Sequence, residues 1–131
     1  MVNALFPYKQ GKSLLWDVTC VSTLAESYIS QTSQIPESAA VRAEKAKFAL
    51  FEELAKDYMF VPIAVETFGS WGQIGRNLVK DIGQKLCDIT GDKRSTFYLF
   101  QRISMAVQRG NAASVLGTVS SSSNLEEIFY L

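Results

Sequence analysis

The chain has 131 residues, of which 47% are hydrophobic and 20% charged, and its 13 basic and 13 acidic residues cancel at neutral pH. This composition predicts one folded domain, and it excludes a disordered chain and a uniformly basic nucleic-acid-binding protein. Histidine is absent, which excludes Ser-His-Asp and Cys-His catalysis and zinc sites built on histidine. Any catalysis must therefore use carboxylates, lysine, hydroxyl groups or a divalent metal.

The cysteines and the first residues indicate the compartment. Cys20 and Cys87 are the only cysteines and follow no motif, which is typical of reduced thiols in an intracellular protein, nuclear or cytoplasmic. The chain begins MVNALFPYKQGK, without a basic segment followed by a long apolar core, so we expect no secretory signal. No apolar run reaches the length of about 18 to 20 residues that crosses a bilayer, so we expect no membrane partner.

The first predicted elements form a β-hairpin. Residues 5–8 are predicted as a short strand, and residues 9–12 have the polarity and the glycine of a hairpin turn. Residues 13–22 are rich in β-branched and aromatic residues, which predicts the second strand.

A loop, a long helix and a third strand follow. Residues 30–37 are polar and contain Pro36, which we place in the first turn of the next helix. Residues 37–58 carry apolar residues at three- and four-residue steps, which predicts one helix. Residues 59–67 are continuously apolar, as is typical of a strand covered on both faces. Pro62 cannot donate to a ladder, so we expect this strand near an edge or a bulge.

Two more helices complete the predicted domain. Residues 71–89 carry an apolar stripe at helical spacing, with Ser70 as the expected N-cap. Ser95 is the expected N-cap of the last helix, which Gly110 interrupts. The predicted fold class is therefore α/β, with a small mixed sheet, made of the opening hairpin plus a crossover strand, flanked by three main helices. We expect a single domain over residues 1–118, followed by a Ser-rich spacer and tail over residues 119–131.

The most unusual residue is an acid inside an apolar strand. Asp17 lies in the run LLWDVTCV, and burial of a lone carboxylate is very costly. Asp17 must then be paired, bound to a cation or located at an exposed strand end. Alternation places it with Leu15 and Thr19 on one face of the strand, so a metal site and a solvent-facing position both stay open.

Two further residues complete a candidate catalytic constellation. Lys47 falls on the apolar stripe of the predicted helix, whereas Lys45 points to its polar side. Glu66 lies near the end of the third predicted strand. Magnesium prefers carboxylate oxygens, and a metal-dependent phosphodiesterase also needs a lysine that orients water or stabilises charge. The alternatives are a snorkelling side chain for Lys47 and a cap of a following helix for Glu66.

A local basic excess supports a second hypothesis. Residues 72–110 contain seven Lys or Arg against three Asp, an excess of four, which fits either a phosphate-facing surface or a solvated helix face. Gly69, Gly72 and Gly75 lack the spacing and the lysine of a phosphate-binding loop, so we expect no nucleotide cofactor. The alternative function is a non-catalytic module that binds nucleic acid or a partner protein through its basic C-terminal helices.

Three segments resemble a known family: GKSLLWDVTC, EKAKFALFEELAKDYMFVPIAVETFGSWG and TGDKRSTFYLFQRISMAVQRGNAASVLGT. They resemble the restriction-like endonuclease domain, of the PD-(D/E)XK superfamily, that follows the reverse transcriptase in eukaryotic non-LTR retrotransposon-like proteins. The resemblance covers residues 5–118. It implies a restriction-endonuclease-like fold, hydrolysis of DNA with Mg²⁺ or Mn²⁺ as cofactor, and the parent reverse transcriptase as partner.

The resemblance also implies roles for individual residues. Asp17 matches the second metal-binding acid of the family pattern. Lys47, followed by Phe48, matches the helix lysine that orients the attacking water. Glu66 has no counterpart in the pattern and remains a catalytic candidate on its residue type and position alone.

One part of the family pattern is missing from this chain. Related sequences carry Arg-Pro-Asp just before the equivalent of residues 5–8, whereas Met1-Val2-Asn3-Ala4 stands here and no Pro-Asp pair occurs anywhere. The group also often has an acid at the position of Ser22. From the missing motif we expect an N-terminally incomplete domain. Because a single carboxylate holds magnesium poorly, we also expect its cleavage activity to be impaired.

Overall fold

The computed structural model describes residues 3–117 of the chain, with side chains from Tyr8 onwards. The predicted spacer and tail, residues 119–131, lie outside the described residues. The elements in chain order are β1 (Asn3–Lys9), β2 (Lys12–Val21), α1 (Glu26–Thr32), α2 (Ser38–Leu50), α3 (Leu54–Asp57), β3 (Met59–Glu66), α4 (Gln73–Thr90) and α5 (Ser95–Leu116). Within the described residues, no helix combines the length and apolarity needed to cross a membrane.

The three strands form one mixed sheet in the order β1-β2-β3. β1 is antiparallel to β2, and β2 is parallel to β3. Gln10 and Gly11 form the hairpin turn with φ of 53° and 70°, a backbone whose twist matches that of the flanking strands. The predicted hairpin and crossover strand are confirmed, and β3, which contains Pro62, lies at the predicted edge.

Alternating side chains of β3 face two layers of helices. Ala64 packs against Ala40 and Ala43 of α2 on one face of the sheet. Val61 packs with Leu78 of α4 on the other face. The sheet therefore lies between α2 on one side and α4 on the other.

α5 packs on α4 and on the end of β3. The rings of Trp71 and Phe100 meet edge to face, with centroids 5.3 Å apart. At the crossing of the two helices, a Cβ on Gly83 would lie 2.8 Å from the Cα of Thr96. Only glycine at this position permits the close approach of α4 and α5.

The sequence predictions around the first helices were partly wrong. α1 covers residues 26–29, for which no element was predicted, and residues 30–32 of the expected loop. Pro36 precedes the N-cap residue Glu37 instead of entering the first turn of α2. The single helix expected over residues 37–58 ends at Leu50. The ring of Phe51 packs 5.1 Å from that of Phe60 in β3, so tertiary packing overrides the helical periodicity here.

The boundaries of the last two helices also differ from prediction. Trp71 forms a bridge with Val65 at the outer edge of β3, so α4 begins only afterwards, with Gly72 and not Ser70 as N-cap. α5 continues through Gly110 without interruption. The N-cap of α5 is Arg94, one residue before the expected Ser95.

Candidate active site at Asp17 and Lys47

Asp17 lies in the middle strand of the sheet and is buried, with 2% of its residue surface exposed. Its neighbour across the parallel ladder is Pro62 of β3, which is also buried. The side chain of Asp17 faces α2, as its contact with that helix shows. The solvent-facing alternative for Asp17 is therefore wrong.

Lys47, in the last turn of α2, supplies the countercharge. Its Nζ lies 2.9 Å from Oδ2 of Asp17, and its side chain is 34% exposed. The same ammonium lies 5.9 Å from the centre of the Phe51 ring, within range of a cation–π interaction. Lys45 is exposed, as expected for the polar side of the helix. The structure thus brings Asp17 and Lys47 together. The ammonium of Lys47 contacts both the Asp17 carboxylate and the Phe51 ring.

The contact between the two side chains favours the ionised form of Asp17. Burial acts to raise the pKa of Asp17, while the hydrogen bond and the positive charge of Lys47 act to lower it, and the net pKa is below the ordinary 3.8. Asp17 is consequently ionised at neutral pH. Of the three residues of the predicted constellation, Asp17 and Lys47 are in contact at the centre of the sheet.

We expect the contribution of Asp17 to the free energy of unfolding to disappear in acid. A carboxylate whose pKa is lowered by folding adds stability above its ordinary pKa of 3.8 and loses this contribution as the pH falls through the folded value. Asp17→Asn should therefore lower the free energy of unfolding by about 2 kcal/mol near neutral pH, and this difference should shrink below about pH 4.

Urea unfolding of wild type and variant at several pH values measures this difference. The matched control is Asp81→Asn, since the Asp81 side chain is 47% exposed where it meets Lys9, and loss of such a surface pair should change stability by less than about 1 kcal/mol. A difference between wild type and Asp17→Asn that stays constant down to low pH would contradict the assigned charge of Asp17.

Glu66 does not join the Asp17–Lys47 pair. It is the partner of Val21 in the parallel ladder, four positions beyond Asp17 and Pro62, which corresponds to about 13 Å along the strands. The carboxylate of Glu66 is 1% exposed and fully engaged elsewhere. Its Oε1 accepts hydrogen bonds from the backbone N–H groups of Ala39 and Ala40, at 3.1 and 3.2 Å. Glu66 therefore caps α2, a helix that precedes it in the chain, whereas the sequence alternative expected a following one.

A third buried carboxylate, Glu44 on α2, was missed in the sequence. It is 1% exposed and accepts hydrogen bonds from the backbone N–H groups of Ile74 and Gly75, at 2.9 and 2.8 Å. A Cβ on Gly72 would collide with this carboxylate. Gly72 and Gly75, two of the three glycines that do not form a phosphate-binding loop, thus make room for the Glu44 carboxylate at the N-terminus of α4. A glutamate among the alanines of α2 was the signal available in the sequence.

The carboxylates around Asp17 do not fit a bound divalent ion. Among the described residues, no group of three or more Cys, Asp or Glu side chains could hold a metal. Glu44 and Glu66 are each committed to a helix N-terminus, and Oδ2 of Asp17 already contacts Lys47. One carboxylate would leave magnesium with water as nearly all of its ligands.

Comparisons with known proteins do not identify a family for this chain. No family model, no curated protein and no solved structure matches the chain. The three-stranded mixed sheet, its helices and the Asp17–Lys47 contact are therefore the observations on which a functional proposal must rest.

Proposed function

We propose that this chain is a retroelement-derived endonuclease-like domain, ancestrally a metal-dependent DNA phosphodiesterase, whose catalytic centre is impaired. The contact between Asp17 and Lys47 carries the proposal, because it joins the central strand to the crossover helix at 2.9 Å. An acid on a sheet strand with a lysine from the neighbouring helix is the arrangement that the resemblance implies. The restriction-endonuclease-like fold itself is part of this proposal.

The proposed roles follow from the charges of the two side chains. Asp17 is the acid that would contribute to holding Mg²⁺ or Mn²⁺, an ion that stabilises charge on a phosphodiester. Lys47 would orient the attacking water or stabilise the developing negative charge. In the present geometry Lys47 neutralises Asp17 instead, and the ligand set is too small for the metal. Impaired hydrolysis is the expected consequence.

The proposed biological partners are target DNA and a reverse transcriptase in the same polypeptide. In that setting the cleaved strand of the target would supply the 3′ end from which reverse transcription starts. The domain would then act at the DNA target site, in the nucleus or the cytoplasm.

Because the ligand set is too small for the metal, we expect purified protein to nick supercoiled plasmid at most slowly with Mg²⁺ or Mn²⁺. Asp17→Asn should abolish the nicking, because it removes the only proposed metal-binding acid, whereas Asp81→Asn should leave the nicking rate unchanged. Conversion of supercoiled to open-circular plasmid on agarose gels measures the rate. Nicking by Asp17→Asn at the wild-type rate would place any activity at another site or in a contaminant.

A gain-of-function variant makes the same experiment more specific. Ala4→Asp puts an acid directly before residues 5–8, where the resemblance places the first catalytic acid. It should raise the nicking rate at least about tenfold, equivalent to about 1.4 kcal/mol of transition-state stabilisation. The increase should vanish when Asp17→Asn is added. If neither wild type nor Ala4→Asp nicks DNA under any metal, the endonuclease proposal fails.

A further inference from the structure

One face of α5 combines arginines with exposed aromatic and apolar side chains and contains no acid. The α5 outer face consists of Tyr98, Gln101, Arg102, Met105 and Arg109, which line one shallow depression. These five residues fall within an arc of about 100° around the helix. The side chains that pack toward Trp71, namely Phe100, Ile103 and Val107, lie on the opposite side.

The charge of this face is not neutralised by the described part of the protein. No Asp or Glu occurs between residues 95 and 116. The ion pairs of the described residues involve other basic side chains, Lys9, Lys47, Lys56 and Arg94, and so leave Arg102 and Arg109 without a carboxylate. The two arginines are seven residues apart, about 10 Å along the helix axis, so they can contact two separate phosphates.

The apolar members of the α5 outer face are exposed to solvent. Tyr98 is 46% exposed and Met105 52% exposed. The Arg94 guanidinium, which is paired with Asp92 at 3.2 Å, lies 5.4 Å from the centre of the Tyr98 ring. An exposed ring beside arginines is suited to stacking a nucleobase while the guanidinium groups contact the phosphates.

We propose that the α5 outer face binds single-stranded DNA, independently of any cleavage at Asp17. A duplex presents phosphates but keeps its base faces stacked, so it would leave Tyr98 without a partner. Met105 lies between the two arginines, where it would meet the sugar. Deoxyribose offers it an apolar edge, whereas a ribose 2′-hydroxyl would lose hydrogen bonds to water there.

Fluorescence anisotropy with a labelled 20-nucleotide single strand of mixed sequence tests this proposal, in EDTA so that hydrolysis plays no part. Arg102→Gln together with Arg109→Gln should weaken binding at least about tenfold, and the slope of log affinity against log salt should fall by about 1.4, or about 0.7 for each lost phosphate contact. Tyr98→Leu should weaken binding about tenfold through lost stacking.

The matched control is Arg76→Gln together with Lys80→Gln, which removes two exposed basic residues from α4 and should change affinity by less than about twofold. Asp17→Asn should bind as wild type does, which separates this surface from the proposed active site. Unchanged thermal unfolding of each variant shows that the fold is retained. Equal binding by wild type and the α5 double variant, or tighter binding of duplex DNA or of RNA of the same sequence, would overturn the proposal.

Discussion

Glu66→Ala is expected to lower the free energy of unfolding by about 3 kcal/mol. The carboxylate accepts hydrogen bonds from the N–H groups of Ala39 and Ala40 and from the hydroxyl of Thr23. Alanine at position 66 leaves these buried or half-buried donors without an acceptor, and each unsatisfied buried group costs about 1 to 3 kcal/mol. Urea or guanidinium unfolding at neutral pH measures the loss, and the accompanying fall in Tm should be about 10 °C.

Two companion variants separate capping from catalysis. Glu26→Ala, at an exposed glutamate of α1, should change the free energy of unfolding by less than about 0.5 kcal/mol. Glu66→Gln keeps one carbonyl oxygen for the α2 amides and should cost less than Glu66→Ala. If Glu66→Gln abolished nicking while leaving stability unchanged, Glu66 would be a catalytic residue and its assignment as a cap would be wrong.

Glu44→Ala is expected to destabilise the protein by a similar amount, about 3 kcal/mol. Alanine removes both acceptors of the Ile74 and Gly75 N–H groups, together with a negative charge that is favourable at a helix N-terminus. Exposed Glu52 on the turn after α2 provides the control, since Glu52→Ala should be nearly neutral. Denaturant unfolding is again the measurement.

A double-mutant cycle with Gly72 makes the Glu44 prediction stringent. Gly72 has φ of −66°, which alanine adopts without strain. Gly72→Ala should nevertheless destabilise the wild type, because the new Cβ collides with the Glu44 carboxylate. In the Glu44→Ala background that space is empty, so Gly72→Ala should cost at least about 1 kcal/mol less there. Additive effects of the two substitutions would contradict the described contact.

The sequence predicted those elements whose signal is local. The hairpin follows from the turn at Gly11, and β3 follows from a continuous apolar run that is covered on both faces. α1 was missed because none of its residues is buried, so it carries no apolar periodicity. The end of α2 was missed because it depends on Phe51 packing against Phe60, a contact that periodicity within one helix cannot reveal.

The candidate site could be predicted where a charged residue occurs in an otherwise apolar part of a strand or helix. Asp17 is an acid in an apolar strand, and Lys47 is a base on a packed helix face, so each signalled a partner. Glu66 was a candidate on its residue type and its position near the end of the third predicted strand, but its partners are backbone amides at the start of α2. Glu44 likewise binds amides, 30 and 31 positions away along the chain. Side-chain type does not disclose such partners, so their roles emerged only with the fold.

The two buried glutamates connect three elements in series. Glu66 of β3 holds the start of α2, and Glu44 of α2 holds the start of α4 on the opposite face of the sheet. Neither helix can therefore open at its beginning without exposing a charge that belongs to another layer. Sub-global unfolding of one layer alone is disfavoured by this arrangement, and the two faces of a small sheet are joined into a single cooperative unit. Because Lys47 belongs to α2, the same cooperative unit fixes the distance between Lys47 and Asp17.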